Sequence, residues 1–340
     1  MIGGTGFIGR HVATLLAAQG HDVAVLHRGL HPGDLPARVR HLYAETAAIP
    51  VLRFPNEARR LAPDVVLHMV LVGQRDAEAV VRGFRGVARR LVAISSGDVY
   101  RAYGRLIGTE PAVSAQRRLL SEDAPLRERL YPYGRAVDSP WGTLRDYDKI
   151  PVETIVLGEP QLPGTILRLS KVYGVGDGAH TFFPYIRRFA DERPVVLLGA
   201  AQARWRWTHG YVENVAAAIA LAAIDDRAMG RVYNVGEEPT PSVAERIRAL
   251  GRAARWSGEV VAVPDERLPQ HLRAHGGNLD YSADLAYDTS RIRSELGYLE
   301  PVSPEEALSR TVEWERTHPP DVVDRAGFDY PAEDAALRGR

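Results

Sequence analysis

The segment 145–153 reads RDYDKIPVE and carries a phenol and an ammonium two residues apart, Tyr147 and Lys149. A tyrosine four residues before a lysine would share a helix face with it and make an acid–base pair, but position 145 holds Arg. Residues two apart on a helix point about 200° away from one another, so Tyr147 and Lys149 cannot cooperate on a regular helix. Pro151 changes that reading. Proline is tolerated in the first helical turn, so the helix is predicted to begin near Asp148, with Tyr147 ahead of it and not bound by its spacing. Tyr147 is then the expected acid–base group. Tyr131 and Tyr133, on the preceding stretch, are the alternatives, and a site with no tyrosine acid is the third.

The second chemical feature opens the chain: MIGGTGFIGRHVATLLAAQGHDVAVLHRG. Gly3, Gly6 and Gly9 precede apolar residues at helical spacing (Val12, Leu15, Leu16), Gly20 ends that helix, and an alternating strand follows. Glycines let a backbone turn approach a pyrophosphate, and the helix N-terminus offers N–H groups and a positive dipole end. The expected cofactor contacts are Gly3, Thr5, Gly6, Phe7, Ile8 and Gly9; the bland reading is a glycine-rich turn in a non-binding α/β protein. Only Met1 and Ile2 precede the turn, where a strand of about five residues is usual. Either that strand is a stub or the true start lies upstream. The next strand ends His27-Arg28-Gly29, with no carboxylate to bind a ribose 2′-hydroxyl. Arg28 would pair with a 2′-phosphate, so NADP(H) is the favoured cofactor, with NAD possible.

Strands and helices alternate around these features. VRHLYAE and the apolar run in ARRLAPDVVLHMVLVG read as strands, a helix is predicted over 75–89, and RLVAISSGDVY is a buried strand ending in Ser95-Ser96. The stretch 126–142 reads as a long surface loop. A helix from Lys149 to about Leu157 leads into the strand TILRLSKVYG. His68 and Met69 end a buried strand and are expected to pack or to line the adenine side. This alternation implies a parallel sheet covered on both faces. From Asp177 the pattern is mixed. ARWRWTHGYV alternates Trp205 and Trp207 with Arg204 and Arg206, an amphipathic strand burying its tryptophans, or a substrate-phosphate contact through an arginine. The arginines near 187 and across 246–255 read as solvated helix faces. Ser303, Pro304 and Glu306 mark a helix start. The tail after Pro319-Pro320 is expected to be loosely attached.

Bulk properties narrow the class. Lys+Arg and Asp+Glu both total 43 among 340 residues, so a dedicated nucleic-acid binder is disfavoured. With no cysteine there is no disulfide, thiolate metal site or cysteine nucleophile. No apolar run is long enough to span a bilayer, and the expected location is cytoplasmic. The i,i+4 histidine pair His27 and His31 is broken by Gly29 and followed by Pro32, so no metal site is expected.

The segments GGTGFIG, PDVV, ISSGDVY, YDKIPVE, LRLSKVYG, GYVENVAAAI and YNVG stand in the order found in extended short-chain dehydrogenase/reductases. From Gly3 to about Glu315 the chain resembles the NAD-dependent epimerase/dehydratase family. The resemblance implies a Rossmann domain over 1–176, with 211–229 returning to it, and a substrate lobe over 177–210 and 230–318. It implies that Ser96 hydrogen-bonds the reacting oxygen and that Lys149 holds the nicotinamide ribose and acidifies a tyrosine. Tyr147 departs from the family spacing. Arg206 is a weak match, one residue out of register, to a diphosphate-binding arginine. The implied function is hydride transfer to or from a carbinol or carbonyl carbon of a sugar-like substrate, tilted by Arg28 toward reduction. The alternative is a catalytically weak nucleotide-binding sensor or scaffold, with RNA as a less favoured partner and DNA not expected. Family members often form homodimers through helices of the cofactor domain.

Overall fold

Neighbouring residues on the central strands go to opposite sides. Val66, Leu91 and Ile166 join one apolar cluster; Leu67, Val92 and Leu167 join another. This is the two-residue period of a strand buried on both faces. A computed structural model describes the chain except for residues 30–32, 46–48, 112–117, 135–137, 140–141, 274–277 and 339–340; of 138–139 and 142–144 only the backbone is described.

The sheet runs Arg40–Tyr43, Ala24–His27, Ile2, Val65–His68, Arg90–Ser96, Gly164–Leu169, Val232–Val235, all parallel. Its central position is held by Ile2 alone, bridged to Leu26 on one side and His68 on the other. Helices Phe7–Ala18 and Val212–Ile224 cover one face, with Val12, Leu16 and Ile219 in the cluster. Helices Gln74–Phe84 and Lys149–Leu157 cover the other through Val80, Phe84, Val152 and Val156. A third cluster joins helices Phe183–Ala190, Val243–Ala253 and Pro304–Thr317 to the parallel pair Val195–Gly199 and Glu259–Val263. No helix among the described residues is long and apolar enough to cross a membrane.

Several expectations are corrected. The tail is docked: helix Tyr330–Leu337 buries Glu333, which pairs with the buried Arg188 at 2.5 Å and with His271 at 3.1 Å. Arg188 also lies over the rings of Phe328 and Tyr330, a stacking that polar composition does not advertise. The arginine-rich faces are not uniformly solvated, since Arg188 and Arg246 are buried and Arg246 pairs with Glu237 at 2.9 Å. The stretch after Leu126 is exposed over 128–131, as a surface loop would be, but Arg127 within it is buried and its N–H bonds Val99 O. The 75–89 helix is shorter, ending at Phe84.

Candidate active site

The glycine turn is built by the backbone. Ile2 donates to Leu67 O at 2.8 Å, Gly3 donates to Leu26 O at 2.9 Å, and Gly3 then turns with φ +79°. A Cβ on Gly9 would lie 2.6 Å from Gly3 O and 2.9 Å from Gly4 Cα, so helix and turn touch with no room for a methyl. Gly6 differs: a Cβ there would meet nothing within 4 Å. It is the N-cap of helix Phe7–Ala18 and supplies no side-chain cap. Uncapped N–H groups beside open space suit an anion, and the residues present fit a dinucleotide pyrophosphate. Arg28 follows the strand Ala24–His27 and is half-buried. His27 is buried, shares a hydrogen bond with His41 at 2.9 Å and accepts one from Gly29 N; burial and His41 push its pKa down. His31 lies outside the described residues, and no cluster of metal-ligating side chains occurs among those described.

The second half of the site lies at the end of Arg90–Ser96. Tyr147 precedes the helix: Asp148 is the N-cap, in extended conformation, its carboxylate accepting from Ile150 N at 2.9 Å. The Tyr147 hydroxyl thereby reaches Asp98, donating to Oδ2 at 2.7 Å, with Ser96 near enough to lower the phenol's pKa. Ser96 Oγ accepts from Asp98 N at 3.3 Å. Asp98 Oδ1 is buried and has no partner among the described residues. Burial pushes the Asp98 carboxyl up, against the lowering effect of Tyr147, Lys149 and Arg127. Burial and the Asp98 charge hold the Tyr147 phenol well above 10. The structure thus brings a protonated phenol onto a carboxylate.

Lys149 sits apart from that hydroxyl. Its buried ammonium donates to the carbonyls of Leu71 and Ile94 and lies 5.4 Å from the centre of the Tyr147 ring. Burial lowers its pKa, opposed by Asp98, Asp76 and Glu153. Of the loop tyrosines, Tyr133 packs its ring 5.5 Å from that of Tyr147, near Asp98. The Tyr133 hydroxyl bonds that of Tyr103 at 2.7 Å, and Tyr131 is exposed at φ +53°. His68 is fully buried, its pKa pushed down to about 3 by burial and by Lys149.

Arg206 is exposed, while Trp205 on the opposite side is buried and donates to Ala283 O at 2.8 Å. Arg206 lines a cavity of 420 Å³ with Arg118, Glu238, Asp284 and Tyr287. Tyr287 is buried, and a Cβ on Gly97 would fall 1.5 Å from its hydroxyl, so the cavity wall touches the turn that carries Asp98. The sequence reading missed Asp98, Arg127 and Asp148. A signal existed for Asp98, two residues beyond Ser96 in ISSGDVY.

A model of the NAD dependent epimerase/dehydratase family matches residues 1–236. The chain is 25% identical to a UDP-N-acetyl-alpha-D-glucosaminuronate decarboxylase of Bacillus cytotoxicus, covering 92% of this chain and 96% of that protein. It is 28% identical to a 2'-dehydrokanamycin reductase of Streptomyces kanamyceticus, over 89% of this chain and 78% of the relative. Among solved structures, a UDP-glucose 4-epimerase of Thermus thermophilus in complex with NAD matches with a TM-score of 0.60 and 23% identity, covering 93% of this chain and 97% of that one.

Proposed function

The chain belongs to the NAD-dependent epimerase/dehydratase family, and from that membership we propose that it oxidises or reduces a carbinol or carbonyl carbon of a sugar nucleotide through a Ser96–Tyr147–Asp98 proton path. The observation that carries the reading is the 2.7 Å bond from the Tyr147 hydroxyl to Asp98, beside Ser96 at the carboxyl end of a central strand. The sugar-nucleotide class is favoured by the names of the relatives, which are those of enzymes and include a UDP-sugar decarboxylase and a UDP-glucose epimerase. No feature among them favours the scaffold alternative.

Residues 3–9 would hold the pyrophosphate, and bound nicotinamide supplies two-electron oxidation or reduction at the substrate carbon. Ser96 polarises the reacting oxygen. The Tyr147 phenol exchanges the proton with that oxygen and passes it to or from Asp98 Oδ2. A phenol held well above 10 is a poor base alone near neutrality, whereas a carboxylate on its far side accepts the proton as the phenol gives one up. Lys149 favours the ionised form of Asp98. Two of its donors meet carbonyls, which leaves a third for the ribose. NAD is the cofactor of the family; Arg28, at a strand end without a carboxylate, favours the 2′-phosphorylated form. Arg206 is assigned to a substrate phosphate because it lines the cavity that abuts Gly97. A cofactor half and a substrate half are supported by two separate apolar clusters, but the boundary is not at one residue: the strand Val232–Val235 and the side chains of Ile292, Leu296 and Tyr298, expected in the substrate lobe, go with the large sheet.

The test is Tyr147→Phe assayed with NAD(P) against a panel of UDP-sugars, including UDP-glucuronic acid and UDP-glucose. Turnover is expected to fall at least about 100-fold, within the range for losing a general acid–base group, with cofactor affinity unchanged. Full turnover in the variant overturns the proton path.

A further inference from the structure

Arg127 is among the most completely enclosed charges of the described residues. Its side chain and that of Asp148 are both 0% exposed, and the two pair at 2.9 Å. Burying two charges is costly unless every donor and acceptor is used. Here they are used. Arg127 Nε donates to the carbonyl of Asp98 at 2.5 Å, Nη1 to the carbonyl of Arg129 at 2.6 Å, and Nη2 to Asp148. The Asp148 carboxylate also accepts from Ile150 N and from Tyr131 N.

The two ends of this bridge are not arbitrary. One end is the backbone of Asp98. The other is the residue that follows Tyr147 and stops the Lys149 helix from continuing back through it. Asp98 and Tyr147 are 49 residues apart in the chain and share no backbone ladder. We propose that Arg127 is a positioning residue that keeps Tyr147 in contact with Asp98 by gripping the Asp98 carbonyl at one end and the carboxylate of Asp148, the neighbour of Tyr147, at the other. This rests on the proton path above. It also explains how a tyrosine two residues from the lysine reaches the site: the carboxylate that caps the helix at Asp148 is the one that Arg127 grips, so Tyr147 is displaced from the helix and aimed by the same bond.

A purely structural ion pair would affect stability alone. The clamp predicts a change in how two specific groups titrate. Asp98 is faced by Arg127 and Lys149, by the carboxylate of Asp148, and by the phenols of Tyr103, Tyr133, Tyr147 and Tyr287. Arg127 is one of the groups that lower its pKa, so removing the guanidinium moves Asp98 up. Tyr147 is held high by burial and by Asp98, so separating the two moves the phenol down toward 10.

The experiment follows Tyr147 by NMR of protein with ¹³C-labelled tyrosine rings, assigned with Tyr147→Phe, in the presence of saturating NAD and without substrate. In the native protein the Tyr147 signal should not titrate up to pH 10. In Arg127→Met, with NAD affinity within about twofold of native, it should begin to titrate below pH 10. Asp148→Asn, which keeps a helix cap and removes the charge, should shift it in the same direction by less. An unshifted Tyr147 in a variant that still binds NAD overturns the proposal. Loss of NAD binding in both variants also overturns it, because the pair then holds the fold rather than the corner. Since no turnover is read, failure here is distinct from failure of the Tyr147→Phe assay, which tests the proton path itself.

Discussion

The glycine turn and the Tyr147 corner solve the same problem, holding polar groups toward a ligand, with opposite materials. At the turn the groups are backbone N–H donors at a helix start, and the side chains matter mainly by being absent: Gly9 must have no Cβ, and Gly6 leaves open space. At the corner the groups are side chains from segments around residues 96–98, 127 and 147–149, joined by charged hydrogen bonds. A backbone-built site fails by collision, one atom at a time. A side-chain site fails by loss of a partner, which leaves a buried charge or donor unmet and costs more than the bond was worth.

That contrast can be broken at several points. The largest effect is expected at the corner. Asp98→Asn should lower turnover about 100-fold or more, as for a missing general base, while raising the melting temperature at pH 7. The sign follows from burial. Asp98 has a raised folded pKa, so it binds its proton more tightly folded than unfolded, and its contribution to stability falls as pH rises from 3.8 through the folded value. A neutral amide escapes that loss. A variant that is both slower and less stable at pH 7 would mean Asp98 is a structural acceptor.

Next come the glycines. Gly9→Ala drives a methyl into backbone atoms and should cost about 1–3 kcal/mol of stability, as overpacking does, along with cofactor binding. Gly6→Ala should leave the unfolding temperature unchanged and weaken NAD binding roughly tenfold, the cost of displacing a phosphate from its donors. Equal stability losses in the two would remove the distinction between a packed glycine and a ligand-facing one. A subtler effect is the acid limb of kcat, which should lie above the ordinary Asp value because burial raises Asp98. Lys149→Met takes away a charge that lowers Asp98, so the limb should move to still higher pH; a shift downward contradicts the assignment. The smallest effect is Arg206→Ala. The side chain is exposed, so the melting temperature should stay within about 1 °C, and KM for a UDP-sugar should rise a few-fold; an unchanged KM removes Arg206 from the substrate site.

What could be read from the sequence follows the same divide. The turn, its helix and the next strand lie within the first 27 residues, and local rules of glycine, cap and periodicity describe such a unit well. Pro151 gave the helix start that frees Tyr147, again a local rule. Asp98 and Arg127 escaped because their meaning arises between distant segments, and no spacing rule links residue 127 to residue 148. The tail misled for a related reason. Its Glu and Asp residues look solvated in sequence, yet Glu333 is paired with an arginine 145 residues away.

The docking of that tail bears on the order in which the protein can be completed during synthesis. Helix Tyr330–Leu337 packs Ala336 and Leu337 against Leu268, receives a bond from Arg267 to Ala336 O, and meets His271 through Glu333. Residues of this same segment, Asp265 to Arg273, form one wall of a 560 Å³ cavity. That wall gains its backing only once residue 337 has cleared the ribosome, whereas every strand of the large sheet is present by residue 235. A chain still being translated can therefore assemble its nucleotide platform well before the cavity wall of its other half is braced.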